Sequence, residues 1–252
     1  YSYFWEEKEA DFITVAEDVL SKNKKSARYV EYIAQYFWSG LDKRDRAIEI
    51  MFVAMKDGML DDNALARLVD WLQDPRVRKF AESIPILEGL IERSEHRMHF
   101  RCELITAYHH TSRPNQRDEL IAESDKLFRD AGRWTESNLS QISRTVHHIG
   151  LYELTVRYVD ELIPLHQRNQ PNRGIGRGTL STYYMWLADA HSHLKHTEKA
   201  VDAAAAAIVS WGPRHDRRKD AVDKLNAVTR NAEDLDDYVA LIDRRATEDH
   251  ED

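Results

Sequence analysis

Apolar side chains return along this chain at the spacing of one helix face, and the stripes themselves return at a nearly fixed interval. Val30, Ile33, Ala34 and Phe37 stand at i, i+3, i+4 and i+7, which puts all four on one side of a helix. The same spacing recurs in Leu65, Leu68, Val69 and Leu72, then in Leu104, Ile105 and Tyr108. It recurs again in Leu139, Ile142, Ser143 and Val146, and in Tyr184, Leu187, Ala188 and His191. The last members of these stripes, Phe37, Leu72, Tyr108, Val146 and His191, are separated by 35, 36, 38 and 45 residues. Intervals of about 34 residues are what stacked helix-turn-helix units produce, because one such unit cannot cover its own apolar face.

Second helices fit between the stripes, at roughly 44–57, 76–93, 117–130, 151–167 and 197–210. Turn residues stand where the elements must end: Asp57-Gly58, Asp74-Pro75, Arg113-Pro114, Ala131-Gly132, Pro171 and Gly212-Pro213. Asp61, Asp62 and Asn63 offer a cap ahead of one helix, and Thr135 with Asn138 marks the start of another. Period-two alternation is nearly absent, which excludes a strand-based fold. The reading is all-α, with about five to seven helical hairpins in a single helical-repeat domain spanning 1–252. An N-terminal helix occupies 1–26, the hairpins 27–213, and capping helices with an acidic tail 214–252. Another α-α superhelix or a closed bundle would also satisfy this periodicity. The chain opens on Tyr1 without an initiator methionine and is expected to be a piece of a longer or processed protein.

The segment 136–213 resembles the tetratricopeptide repeat. Leu139, Ile142, Ser143, Val146, Gly150, Thr155, Val159 and Leu162 fill the places of that pattern in one unit. Tyr184, Leu187, Ala188, His191, Ala200, Ala204, Ala207 and Pro213 fill them in the next, the proline one place late. The unit at 27–58 is similar with one extra turn residue, 62–93 departs further, and 98–130 carries about three extra residues. The resemblance implies a right-handed superhelix whose first helices line a concave groove. It places Arg28, Glu31, Gln35, Trp38, Asp70, His99, His109, Arg144, His147, Met185, Asp189 and His193 on that groove. It also implies a non-catalytic scaffold whose partner is a protein or peptide. The basic and asparagine set with which some members clamp a terminal carboxylate is not reproduced, so chaperone tails are not the expected ligand. Arg144, His147 and Trp38 are the expected anchors, arginine and aromatic side chains being the usual energetic centres of interfaces.

The glycine-rich stretch Asn172-Arg173-Gly174-Ile175-Gly176-Arg177-Gly178-Thr179 raises the question of a phosphate site. Dinucleotide and nucleotide loops follow a strand, and this one follows a helix; it also lacks the Gly-Lys-Ser/Thr ending. It reads as a connection lengthened by about ten residues, which accounts for the 45-residue interval. Arg173, Gly176, Arg177 and Gly178 form the corresponding anion-binding alternative, since helix N-termini carry free N–H groups.

Twelve histidines invite a metal, chiefly His191, His193 and His196, the pair His147 and His148, and the pair His96 and His99. No acidic residue completes a ligand set at clear spacing, and there is no His-Glu-x-x-His motif. His191 sits at an interlocking core position, and no metal is expected. No Gly-x-Ser-x-Gly elbow occurs and Cys102 has no readable partner, so the chain is read as no enzyme, with no cofactor. Most of its tryptophans and tyrosines are expected between helices, with Trp38 and Trp71 partial exceptions. Ala203 to Ala207 read as close helix packing, and Arg214, Arg217, Arg218 and Lys219 as a solvated helix start.

A formal net charge of -8 with both signs interspersed disfavours general nucleic-acid or membrane-surface binding. The longest apolar run falls short of a membrane span, and no signal peptide opens the chain. One cysteine excludes an intramolecular disulfide framework without fixing the compartment, although a cytoplasmic setting is favoured. An RNA-reading helical repeat, or a repeat frame carrying a metal or anion site, is the alternative function, and self-association through an end helix is a variant of the scaffold.

Overall fold

The computed structural model describes residues 2–22, 26–94, 96–169, 177–211 and 218–229. They form twelve α-helices with no strand among them: α1 Ser2–Lys22, α2 Ala27–Ser39, α3 Arg44–Lys56, α4 Asp62–Gln73, α5 Phe80–Arg93 and α6 Met98–His110. These are followed by α7 Pro114–Asp130, α8 Glu136–His148, α9 Tyr152–Asn169, α10 Arg177–His193, α11 Thr197–Trp211 and α12 Arg218–Thr229. The helices gather into two compact units, Tyr1–Ile121 and Ala122–Asp252, and the division falls within α7. In each unit, helices pack chiefly against those adjacent in the chain, as α2 on α3, α5 on α4 and α6, and α10 on α9 and α11. The expected pair at 215–231 and 234–246 is seen only as α12, the rest lying outside the described residues. Among the described residues no helix is long and apolar enough to cross a membrane.

All five stripe-terminal residues do the same job at the end of a first helix. The carbonyl oxygens of Phe37, Leu72, Tyr108, Val146 and His191 accept hydrogen bonds from the backbone N–H of Lys43, Lys79, Arg113, Leu151 and His196, at 2.7 to 2.9 Å. The residue just before each donor has a positive φ: Asp42, Arg78, Ser112, Gly150 and Lys195. The chain can reverse this tightly only by passing one residue through the left-handed region, as helix C-terminal motifs do. The second helices α3 and α7 end alike, with Gly58 and Gly132 at positive φ and with Met59 and Arg133 donating to Ala54 and Phe128. The start signals also behave as expected. Asp61 Oδ1 accepts from the Ala64 N–H at 2.9 Å, and Thr135 Oγ1 from the Asn138 N–H. Two second helices start away from their expected positions. Proline opens α7 at Pro114, where its fixed φ suits a first helical residue, and Pro75 with the Arg78 turn delays α5 to Phe80.

The buried residues are the ones that the stripes select. Phe37, Leu68, Leu72, Leu87 and Leu90 close the core of the N-terminal unit, and Leu139, Ile142, Val146, Tyr158, Val159 and Leu162 that of the C-terminal one. In α11 the whole run Ala203 to Ala207 is buried, and Ser181 of α10 donates its hydroxyl to the Ala207 carbonyl, so α10 and α11 approach closely. His191 is buried as a core residue. Trp71, an expected partial exception to packing, is buried too, at 5% exposure, because α4 turns it toward Trp38.

Ion pairs reach about one repeat along the chain: Arg46 ties α3 to Glu17 of α1, Arg67 to Glu31, Lys79 to Asp45, Arg157 to Asp125 and Arg129 to Glu161 join successive hairpins, and Arg93 to Asp62 closes the α4–α5 hairpin itself. Half-exposed pairs of this kind add little stability and instead fix the register of one helix against the next.

The turn geometry makes a prediction with two signs. Gly150→Ala introduces a Cβ with only van der Waals neighbours, yet it places a side chain at φ 77° and should destabilise the protein by about 1 kcal/mol. Ser112→Gly relieves the same strain at φ 57° and should stabilise by roughly 0.5–1 kcal/mol. Urea unfolding of the two variants beside the parent protein measures both.

Candidate partner-binding face

In the N-terminal unit most of the expected groove residues on α2, α4 and α6 spend their chemistry on neighbours outside the expected set rather than on one another. Glu31 accepts from Arg67 at 3.0 Å. Trp38 lies flat on Trp71, ring centroids 4.7 Å apart and planes within 4°, with the Arg44 guanidinium 5.7 Å from the Trp38 ring. Gln35 donates to Ser39, and His99 stands 3.9 Å from Glu103 on its own helix. Desolvation holds the Asp70 carboxyl above its ordinary range, against the opposing pull of His99 and Arg67. His109 contacts Arg117 at 3.4 Å, and burial with that neighbouring charge pushes its imidazole pKa down. Arg28 remains exposed. Tyr32, four residues on, is 76% exposed and shares a helix stripe with Arg28 and Gln35. Sequence reasoning missed Tyr32; its place opposite the core stripe Val30, Ile33, Ala34 and Phe37 is the signal that identifies it.

In the C-terminal unit three of the expected groove residues, His147, Asp189 and His193, do converge. Asp189 Oδ2 lies 3.7 Å from His147 Nε2 and 3.9 Å from His193 Nε2, while Oδ1 accepts from Lys224. One carboxylate thus joins α8, α10 and α12. His193 stacks on Tyr152 with planes within 4°, and His147 lies against Trp186. Lys224, Tyr152 and Trp186 were not legible as members of this group. Burial pushes the His147 pKa down; Asp189 pulls it back, and His148, Lys224 and His193 reinforce the depression. Its Nδ1 is buried without a hydrogen-bond partner among the described residues, so a second proton on this ring would have no acceptor. Its Nε2 faces the Asp189 carboxylate at 3.7 Å, beyond hydrogen-bond reach. Arg144 is exposed, Met185 is half-buried, and the His193 side chain is half-exposed at the edge of the cluster.

Other histidines serve packing. His166 is buried and its Nδ1 meets Glu136 Oε1 at 2.6 Å, which ties the end of α9 to the start of α8. His191 and His196 face each other with Nδ1 atoms 3.4 Å apart, and desolvation pushes the His191 pKa down. Among the described residues no group of three or more His, Cys, Asp or Glu is placed to hold a metal ion. Arg173 and Gly176 of the anion alternative lie outside the described residues; Arg177 and Gly178 open α10, and nothing is described of the Arg177 side chain. No model of a known protein family matches this chain, and no curated protein is significantly similar to it.

The depressed histidines give stability a definite pH dependence. For His147, His109, His110 and His191 the folded pKa lies below the unfolded value of about 6.5. Their contribution is fully present above that value and is lost as pH falls below it. The melting temperature should drop between about pH 7 and pH 5, and His147→Gln, which cannot take up the proton, should make that drop shallower. Thermal melts followed by circular dichroism at stepped pH measure it.

Proposed function

We propose that this chain is a non-catalytic binding scaffold of the tetratricopeptide kind, which takes a peptide or a partner protein on the exposed sides of its first helices. One observation carries the reading. The first helices of each unit are tied to one another at fixed spacing, by Glu31 with Arg67 and Trp38 with Trp71 in one and by the Asp189 cluster in the other, while exposed side chains stand beside those ties. A row of helices held at fixed spacing presents these groups with little ordering cost on binding, which is what a recognition surface requires. The hairpin period and the common turn closure are the features that favour a tetratricopeptide-type repeat over other α-α arrays.

The residues assigned to contact are Arg28 and Tyr32 in the N-terminal unit and Arg144 and His193 in the C-terminal unit. Trp38 is given a supporting place, since its ring face is occupied by Trp71. The test is affinity capture from a lysate of the source organism followed by residue-level cross-linking. Two variants, Arg28→Glu/Tyr32→Ala and Arg144→Glu/His193→Ala, alter groups that bury little and should stay folded. A captured protein that cross-links beside these residues, and whose capture falls at least about tenfold with either variant, is the expected result. Partners that bind both variants as well as the parent protein would overturn the assignment.

A further inference from the structure

The stripe register shows which positions of a first helix face the first helix before it. Five residues before the stripe-terminal residue stand Arg67 in α4 and Trp186 in α10; eight before it stand Ala64, Phe100 and Tyr183 in α4, α6 and α10. Arg67 reaches back to Glu31 of α2, and Trp186 lies against His147 of α8. Ala64, Phe100 and Tyr183 are all buried, and the Tyr183 hydroxyl reaches Ser140 of α8. In α2 the same two positions are Tyr32 and Tyr29, which are 76% and 57% exposed. Among the described residues no first helix precedes α2, because α1 holds a second-helix place, tied through Glu9 and Glu17 to Lys43 and Arg46 at the start of α3. Val15, one turn from Phe12 on α1, is left 59% exposed beside these tyrosines, since Phe12 packs on Tyr36 of α2.

A face laid open in the register where α4 and α10 are covered by a helix is complementary to a helix. The charges on it say whose helix that is. Phe12 meets Tyr36 and Phe37, so α1 and α2 run antiparallel, and Asp11 and Arg28 stand at opposite ends of the face. Glu9, Glu17 and Asp18 of α1 are taken by Lys43, Arg46 and Lys22, and Glu31 of α2 by Arg67. Asp11 and Arg28 are both exposed and form no ion pair among the described residues, even with Lys8 a turn from Asp11. A patch with an unmatched acid at one end and an unmatched cation at the other is complementary to itself, which is the requirement of an isologous interface. Tyrosine also suits a surface that is wet in one state and packed in another, its ring apolar and its hydroxyl solvated.

We propose that the α1–α2 face is a homodimer interface. On it α2 of a second copy takes the place that a preceding first helix would hold, with Val15, Tyr29 and Tyr32 packed across a two-fold axis and Arg28 of each copy paired with Asp11 of the other. The inference rests on the contact role proposed for Arg28 and Tyr32 and names their partner. The face is two helices wide and about 20 Å long, at the small end of specific interfaces, so the dissociation constant falls in the micromolar range.

The test is sedimentation velocity of the full chain from about 1 to 300 μM, a range that brackets such a constant. A concentration-dependent shift from monomer to dimer is expected. Tyr29→Ser/Tyr32→Glu replaces two exposed side chains and should leave the melting temperature unchanged while weakening the dimer at least about tenfold. Arg28→Glu and Asp11→Lys should each weaken it. The chain carrying both should regain the parent's dissociation constant to within about threefold, because the exchanged charges meet again across the axis. Lys126→Glu makes the same charge change as Arg28→Glu at an exposed site in the other unit, and it should leave association as it is. A chain that stays monomeric throughout, a dimer indifferent to the tyrosine variant, or a double exchange no better than the single ones would overturn the proposal. The two readings fail separately. Lysate capture that depends on Arg28 and Tyr32 in a chain monomeric throughout overturns the second copy and keeps the scaffold, whereas a dimer with the expected variant pattern supports the second copy whatever the lysate yields.

Discussion

A hydrogen bond from just past a left-handed residue back to the carbonyl of the last core residue closes every first helix described here. Phe37, Leu72, Tyr108, Val146 and His191 each contribute a side chain to the interior and a carbonyl to this closure. The coupling is economical in sequence, because the residue that ends the apolar stripe also fixes where the chain turns. Once the turn is set, the second helix starts within a few residues and lies against the first. Its remaining face then has to be covered by the next hairpin, and the pairing of ions about one repeat apart follows from that necessity.

The polar groups divide according to what they touch. Glu31, Trp38, Asp189 and His147 face another first helix and hold it at a set distance, whereas Arg28, Tyr32, Arg144 and His193 look outward. Asp189 sits where these two roles meet. Its carboxylate meets a lysine from α12, a partly buried imidazole from α8 and a half-exposed imidazole from its own helix. Burial is the main force that holds the His147 pKa down there, and the charge of Lys224 adds to it against the pull of Asp189.

Local features were legible in the sequence and distant ones were not. The stripes, the caps at Asp61 and Thr135 and the burial of His191 and the alanine run all depend on neighbours within one or two turns, where period and propensity suffice. The position of His147, Asp189 and His193 on one face followed from the resemblance to a known repeat. That Lys224 completes the group did not, because α12 lies 35 residues on and carries no motif that announces a contact with α10. Trp71 was misplaced for the same reason: its stripe neighbours say which helix it is on, and only the partner helix says that Trp38 covers it. The non-glycine residues at positive φ, Asp42, Arg78, Ser112 and Lys195, left no glycine to reveal the turns. The lengthened connection before α10 falls largely outside the described residues.

The one-repeat reach of the cross-helix ion pairs has a further consequence, for how the chain reaches its fold. Closing a loop of about 30 to 36 residues is entropically mild, and none of these pairings has to wait for a distant part of the chain. Each hairpin finds its neighbour as soon as that neighbour exists. Assembly is then sequential and fast for a chain of this length, in the manner of proteins of low contact order. During synthesis the earlier hairpins of a unit can settle before the later ones leave the ribosome, and the apolar face waiting for cover is never larger than that of a single helical pair.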